Sequence, residues 1–229
     1  MESKKEQMTT EVVYQGNHTY EIKKTIEGFK GESAILIGLY PTIDGDNITR
    51  IDSTQLHLIN HMKELGLCEV RIMNLYPDVF DRKPSTVQLS YDKENFEYIM
   101  QAINATEEYK IVIAYGSSHS SNKTTNMVKK NLLEAIGNSK AKDRVYQISS
   151  EYIDTMSSDP THVLYLGLRH GDERWKLVPL DVSAEMAKIS ARLAEKNPET
   201  DIVKRKARRK EPSMVQGRGR AKHFLKIQI

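Results

Sequence analysis

Three short stretches of the sequence carry side chains capable of chemistry, each just after an apolar run of strand length. The first, residues 40–50, holds Tyr40, Asp44, Asp46, Asn47 and Arg50. Two carboxylates and an arginine at one strand end can position water, bind a cation or grip a sugar. The same residues also suit a solvated turn with Asx hydrogen bonds and a helix cap. The second stretch opens Asn74-Leu75-Tyr76-Pro77. An amide there offers a donor and an acceptor together, enough to read a base edge or a sugar hydroxyl, or else to tie the loop backbone. The third runs from Gly116 through Ser117, Ser118, His119, Ser120 and Ser121 to Lys123, ahead of a helix. Backbone N–H groups at such a junction attract anions, although Ser and Asn there are also ordinary capping residues. Tyr40, Tyr76 and Tyr115 flank these ends and complete the candidate base- or nucleotide-binding set.

Other chemistries are disfavoured. The GxxxxGK[ST] spacing of a Walker A loop is absent, as are G-x-S-x-G and G-x-G-x-x-G. His57 and His61 share a helix face with no acidic residue placed between them as in H-E-x-x-H, and Cys68 is the only cysteine. No metal and no cofactor is expected.

The elements that must position these residues are legible as patterns. Glu11–Tyr14 and Thr19–Ile22 alternate around Gly16-Asn17, a hairpin signal. Ser33–Leu39 is an uninterrupted apolar run such as a strand buried on both faces shows; Glu69–Leu75 and Lys110–Tyr115 read as further core strands, and Arg144–Ile148 as a fourth short strand. Helices are predicted from about Asp52 to Leu65, with Leu56, Ile59, Met62 (or His61) and Leu65 inward, and at Asn95–Ile103. Another is predicted at Asn126–Ile136, with Met127, Leu132 (or Leu133) and Ile136 inward, and a last one from Ser183 as N-cap to Glu195. Gly66 suits a C-cap. Val163–Leu168 reads as a fifth strand or a connection, and Leu177–Leu180 as a short extended piece. The expected fold is α/β: a mostly parallel central sheet with helices on both faces, an N-terminal β-hairpin and a basic C-terminal tail. Residues 1–9 are expected to be flexible, residues 10–197 to form the α/β domain, and residues 198–229 the tail.

The net charge of +3 over 229 residues hides an asymmetry. Residues 201–229 hold ten Lys/Arg and two Asp/Glu, whereas the rest hold 24 against 29. Lys204, Arg205, Lys206, Arg208, Arg209, Lys210, Arg218 and Arg220 can neutralise phosphates and give salt-sensitive, sequence-independent affinity for DNA or RNA. A solubilising tail, or a contact for an acidic protein, is the other reading. Phe224–Ile229 alternates and suits a returning strand or a docking segment. The N-terminus has no secretory pattern and no apolar run is long enough to span a bilayer, so a cytoplasmic protein without membrane contact is expected.

From about Tyr14 to Leu180 the chain resembles the family catalogued as domain of unknown function 1643. The resemblance rests on four motifs in order. These are Ala34–Thr42 followed by Asp44, Asp46, Asn47, Thr49 and Arg50; Met73–Pro77 with the later Lys83-Pro84-Ser85; Ala114-Tyr115-Gly116; and Leu166-Gly167-Leu168. Tyr40 stands where that family has asparagine, and the neighbourhood of Trp175-Lys176 replaces its closing His-Pro pair. The order of strand-end motifs also resembles the uracil-DNA glycosylase fold. That resemblance implies that Asp44 or Asp46 orients water, Asn74 reads a base, and the Ser117–Ser121 loop holds phosphate.

The expected function is therefore a nucleic-acid-associated protein, DNA ahead of RNA, whose domain binds a base or nucleotide at the strand ends. Two alternatives stand beside it. One is a non-catalytic phage or mobile-element protein that binds a host or phage protein in defence or counter-defence. The other is an enzyme acting on free nucleotides or nucleosides.

Overall fold

A computed structural model of the chain describes residues 2–80, 82–153, 155 and 159–195. The chain divides into two units, Met1–Ala194 and Glu195–Ile229. The basic residues Lys204, Arg205, Lys206, Arg208, Arg209, Lys210, Arg218 and Arg220 belong to the second and lie outside the described residues.

The first unit opens with the hairpin, β1 (Met8–Gln15) and β2 (His18–Ile26), turned at Gly16 with φ of 56°. β1 begins inside the segment expected to be flexible, and the Gln7 carbonyl already accepts the Glu27 N–H at 2.9 Å. Four central strands follow: β3 (Glu32–Gly38), β4 (Leu67–Asn74), β5 (Lys110–Ile113) and β6 (Val145–Ser149). A last strand, β7 (Lys176–Pro179), closes the described sheet. The strand order is β1-β2-β4-β3-β5-β6-β7.

The sheet is mixed, which corrects the expectation of a mostly parallel one. β4, β3, β5 and β6 run parallel, but β1 with β2, β2 with β4, and β6 with β7 are antiparallel. Alternating strands and helices imply parallel pairing only where each helix carries the chain back to the starting edge. The hairpin docks on β4 with Ile22 opposite Ile72, and needs no crossover. After β6 the chain passes through the short helix α4 (Val163–His170) and re-enters the sheet where it left, with Lys176 opposite Ser149. The segment Val163–Leu168, read as a strand or connection, is that helix. Its eight residues are apolar enough to resemble a strand, and length alone did not separate the two.

The remaining helices are α1 (Ser53–His61), α2 (Lys93–Ala105), α3 (Lys123–Gly137) and α5 (Val182–Ala194). Strand alternation sends Ile35, Ile37, Met73, Ile111 and Ile113 into one core with α2, α3 and α5. Ala34, Leu36, Val70, Ile72, Val112 and Ala114 face the other, with α1 and α4. β4 lies on one side of β3 and β5 on the other, so α1 and α2 cover opposite faces. This reversal opens a crevice at the carboxyl ends of the central strands.

Met62, Leu65, Leu132, Leu133 and Ile136 are buried as expected, and two helices depart from the expected face at their first turns. In α1, Gln55, Leu58 and His61 are buried while Leu56 is 48% exposed. In α3, Val128 is buried while Met127 is exposed. The caps are Asp52 for α1, accepting the Gln55 N–H at 2.7 Å, and Asp181 rather than Ser183 ahead of α5, accepting the Ala184 N–H at 2.9 Å. Gly66 closes α1's exit turn with φ of 72°. Gly167, from the Leu-Gly-Leu motif, lies where α4 meets α1; a Cβ there would stand 2.0 Å from the His57 ring.

Candidate functional site

A cleft of about 870 Å³ opens at the carboxyl ends of β3, β4 and β5, on the α1 and α4 side of the sheet. Its floor is the apolar even-numbered positions of the strands, Ile22, Leu36, Ile72 and Ala114. Where the next apolar residue of β4 would fall stands Asn74, 6% exposed. The facing position of β3 is Gly38, and the absent side chain makes room: a Cβ on Gly38 would lie 2.4 Å from Asn74 Oδ1. The backbone end of β4 is held from elsewhere, because Asn95 Nδ2 donates to the carbonyls of Asn74 (2.8 Å) and Leu75 (3.2 Å). The loop-tying role is thus taken by Asn95, and the Asn74 carboxamide is left for the cleft. Gly38→Ala is expected to turn that carboxamide aside at small cost in stability and to weaken any ligand it holds about tenfold. The Asn74 side-chain amide resonance is the readout, and an unshifted resonance would contradict the assignment.

Asp159 and His170 on the lining are paired with Arg192 and Glu173; three other polar groups of the cleft bear on its chemistry. Asp52 accepts the Gln55 N–H through Oδ1 and the Thr42 hydroxyl through Oδ2, so the carboxylate is fixed while spare lone pairs remain. Gln55, one turn along α1, is 3% exposed. His162 caps α4: its Nδ1 accepts the Leu164 N–H at 3.1 Å. Burial holds its pKa below the ordinary imidazole value, against the smaller upward pull of Asp52. The ring is therefore neutral at pH 7 with its proton on Nε2, a donor. A fixed carboxylate and a neutral imidazole N–H in one cleft can bind a polar ring or move a proton across it. No Lys or Arg among the described residues lines this cleft. Among the described residues, no three His, Cys, Asp or Glu side chains gather as a metal site would.

The third wall is the loop after β5. Gly116 has φ of 67°, and a Cβ there would stand 2.7 Å from His162 Cβ, so only glycine fits both the backbone and the neighbour. Its carbonyl accepts from Lys129 Nζ at 2.8 Å, below the loop. Lys129 is wholly buried, its ammonium 4.3 Å from the Tyr115 ring centroid, and burial pulls its pKa down to about 8. With the Gly116 carbonyl turned inward to Lys129, the Ser117 N–H of the same trans peptide points the opposite way.

Of the residues singled out in the sequence, Tyr40, Asn74, Gly116, Ser117 and Ser118 line the cleft together. Tyr40 packs edge-on against Phe80, ring centroids 5.7 Å apart. Asp44 instead accepts from Asn47 Nδ2 at 2.7 Å, and Asp46, Asn47 and Arg50 are exposed; none of the four lines the cleft. Their loop folds toward the hairpin, where Gly45 lies against the Tyr14 ring. Tyr76 is a core residue whose hydroxyl pairs with Thr125 Oγ1 at 3.1 Å. Tyr115 points into the same core, away from the cleft, 3.4 Å from Glu185 Oε1. His119 is half-buried with φ of 57°, its pKa lowered by burial and by Lys83 and Lys129, and Lys123 is exposed at the start of α3. Neither lines the cleft. The sequence reading missed Thr42, Asp52, Gln55 and His162. The signal for Asp52 was its place ahead of a helical run; for His162 it was the start of a segment read as a strand or a connection.

The family model of the proteins of unknown function designated DUF1643 matches residues 20–164. No curated protein and no solved structure matches the chain.

Proposed function

The chain belongs to the DUF1643 family, and from that premise we propose that its cleft binds a nucleobase or nucleoside, free or as one unpaired unit of a nucleic acid. The observation that carries this reading is the lining itself. It combines an apolar floor, the Asn74 carboxamide, the Asp52 carboxylate and the His162 imidazole, and no lysine or arginine stands on it among the described residues. Such a lining favours a flat, uncharged ring with polar edges and leaves a phosphate outside. The volume suits a nucleoside, and Tyr152 and Tyr165, 77% and 53% exposed, stand on the lining as surfaces for stacking. Asp52 and His162, rather than Asp44 and Asp46, are the acid–base pair of this reading.

The charge of the tail favours nucleic acid as the source of that unit. In the full chain, replacing Lys204, Arg205, Lys206, Arg208, Arg209 and Lys210 by glutamine is expected to flatten the salt dependence of single-stranded oligonucleotide binding. The slope of log K against log salt should fall by about 4, at roughly 0.7 per phosphate contact. Nucleoside binding should stay unchanged. An unaltered slope would remove the tail from the interface, and absence of nucleoside binding by the unsubstituted chain would remove the cleft's assignment.

A further inference from the structure

The far end of α4 brings a second histidine to the cleft, with its ring nitrogens in the opposite roles from those of His162. His170, the last residue of α4, lines the cleft, and its Nδ1 lies 2.7 Å from Glu173 Oε1. Ser150 and the His170 ring hold the Glu173 carboxyl below the usual carboxylate range, so at pH 7 it is ionised and can only accept. A neutral His170 ring therefore keeps its proton on Nδ1 and carries a lone pair on Nε2. Among the described residues nothing bonds to that Nε2, and unlike the Nε2 of His119 it is not sealed from solvent. The turn after α4 does not depend on the pair, because the His170 carbonyl already accepts the Glu173 N–H at 3.2 Å and Trp175 Nε1–H at 2.9 Å. The ring thus stands on a fixed backbone, with one nitrogen used for orientation and the other left bare. At about 1.5 Å per residue, His170 lies about 12 Å along α4 from His162. A base held between Asn74 and His162 does not span that distance, whereas a base with its sugar does. The sugar's hydroxyls are the donors that an imidazole lone pair accepts.

We infer that His170 forms the sugar subsite of the cleft, its Nε2 accepting a hydrogen bond from a ligand hydroxyl while Glu173 fixes the ring. The inference rests on the nucleoside reading above and adds to it the place and the chemistry that hold the sugar. His170 is then a binding residue and Glu173 a positioning residue.

The test compares binding of uridine, cytidine and adenosine to the full chain with that of 1-methyluracil, 1-methylcytosine and 9-methyladenine, measured by calorimetry. Wild type is expected to hold the nucleoside that binds best about tenfold more tightly than its methylated base, the difference one well-placed hydrogen bond makes. His170→Phe keeps a flat ring without the lone pair; it should bring that ratio close to one and leave the methylated base bound as before. The 2′-, 3′- and 5′-deoxy forms of that nucleoside then identify the hydroxyl. Loss with the 2′-deoxy form fits a ribonucleoside, free or within an RNA strand. Loss with the 3′- or 5′-deoxy form points to a free nucleoside or a strand end, because those oxygens are esterified within a strand. Nitrogen-15 spectra of the histidine rings under alkaline conditions provide a measurement that needs no variant. Nε2 of His170 should be unprotonated in the free protein and shift with nucleoside but not with methylated base. In Glu173→Gln the ring should lose its single tautomer, and nucleoside affinity should fall part of the way. Equal affinity of nucleoside and methylated base in wild type would overturn the inference while leaving the base reading intact. So would a preference that survives His170→Phe, or a proton found on Nε2 of the free protein. Binding of none of these compounds would overturn both.

Discussion

Asp52→Asn is expected to lower nucleoside affinity by about 10- to 100-fold while leaving the folding midpoint nearly unchanged. The two effects separate because the side chain does two jobs. As the cap of α1 it accepts the Gln55 N–H through Oδ1 at 2.7 Å, and asparagine caps a helix about as well as aspartate. As a cleft acceptor it owes its strength to charge, since bonds to an ionised acceptor are roughly twice as strong as neutral ones. Asparagine also turns a donor toward ligand donors, adding repulsion to the lost attraction. Together these amount to about 1.4–2.8 kcal/mol, hence the range of fold-change. Asp52→Ala should lose the cap as well, at about 1 kcal/mol of stability. Calorimetric titration paired with a thermal melt reads both quantities. Equal affinity of wild type and Asp52→Asn would show that the carboxylate is a cap and nothing more. In contrast, Asp46→Asn should leave binding alone, because Asp46 is exposed and off the lining.

The central strands were legible because each concentrates apolar residues between polar turns, and their observed limits differ from the expected ones by a few residues at most. What failed was strand direction at the sheet edges, and phase at the first turns of α1 and α3. Leu56 and Met127 looked like core residues from spacing alone, yet both face outward. The shift of one position in α1 brings Gln55 inward, and a buried glutamine is invisible to a reading that assigns polar residues to the surface. Asp44 and Asp46 drew notice by density of charge, but the loop between them and the sheet is committed to the hairpin, through Gly45 on Tyr14 and the Thr19 hydroxyl on the Ile43 carbonyl at 2.9 Å. Long-range contacts of that kind leave no local pattern. Asn74 was found because its position is topological: the end of a central strand faces the crevice whatever the loops do. His162 could not be found the same way, since its place depends on α4 being a helix and on Gly116 admitting it closely.

Lys129→Met is expected to stabilise the protein at pH 7 and to weaken ligand binding at the same time. The ammonium of Lys129 is buried, and among the described residues no carboxylate lies within 4 Å of it. Burial is the main cause of its lowered pKa, about 8, with Asp159 and Glu185 pulling upward and Arg192 downward. An unfolded chain restores the ordinary value of 10.5. Between pH 8 and 10.5 the unfolded state therefore binds more protons than the native state, so this group makes stability rise with pH across that window. Below pH 8 both states are protonated and the native state carries the whole cost, about 3 kcal/mol for a shift of this size. Methionine removes the charge and keeps most of the stem; loss of the bond to the Gly116 carbonyl returns about 1 kcal/mol. The net gain at pH 7 is about 2 kcal/mol, and it should shrink as pH approaches 10. Urea unfolding followed by Trp175 fluorescence at pH 7 and pH 10 measures it. A variant less stable than wild type at pH 7, or a difference that does not change with pH, would refute the argument. The binding arm decides why a charge is buried here at all. Releasing the Gly116 carbonyl lets the peptide rotate and the Ser117 N–H leave its setting in the cleft wall, so nucleoside affinity should fall although the fold is firmer. Stability gained and binding lost in one substitution would mark Lys129 as a positioning residue, held in the core for the geometry it imposes on the loop above it.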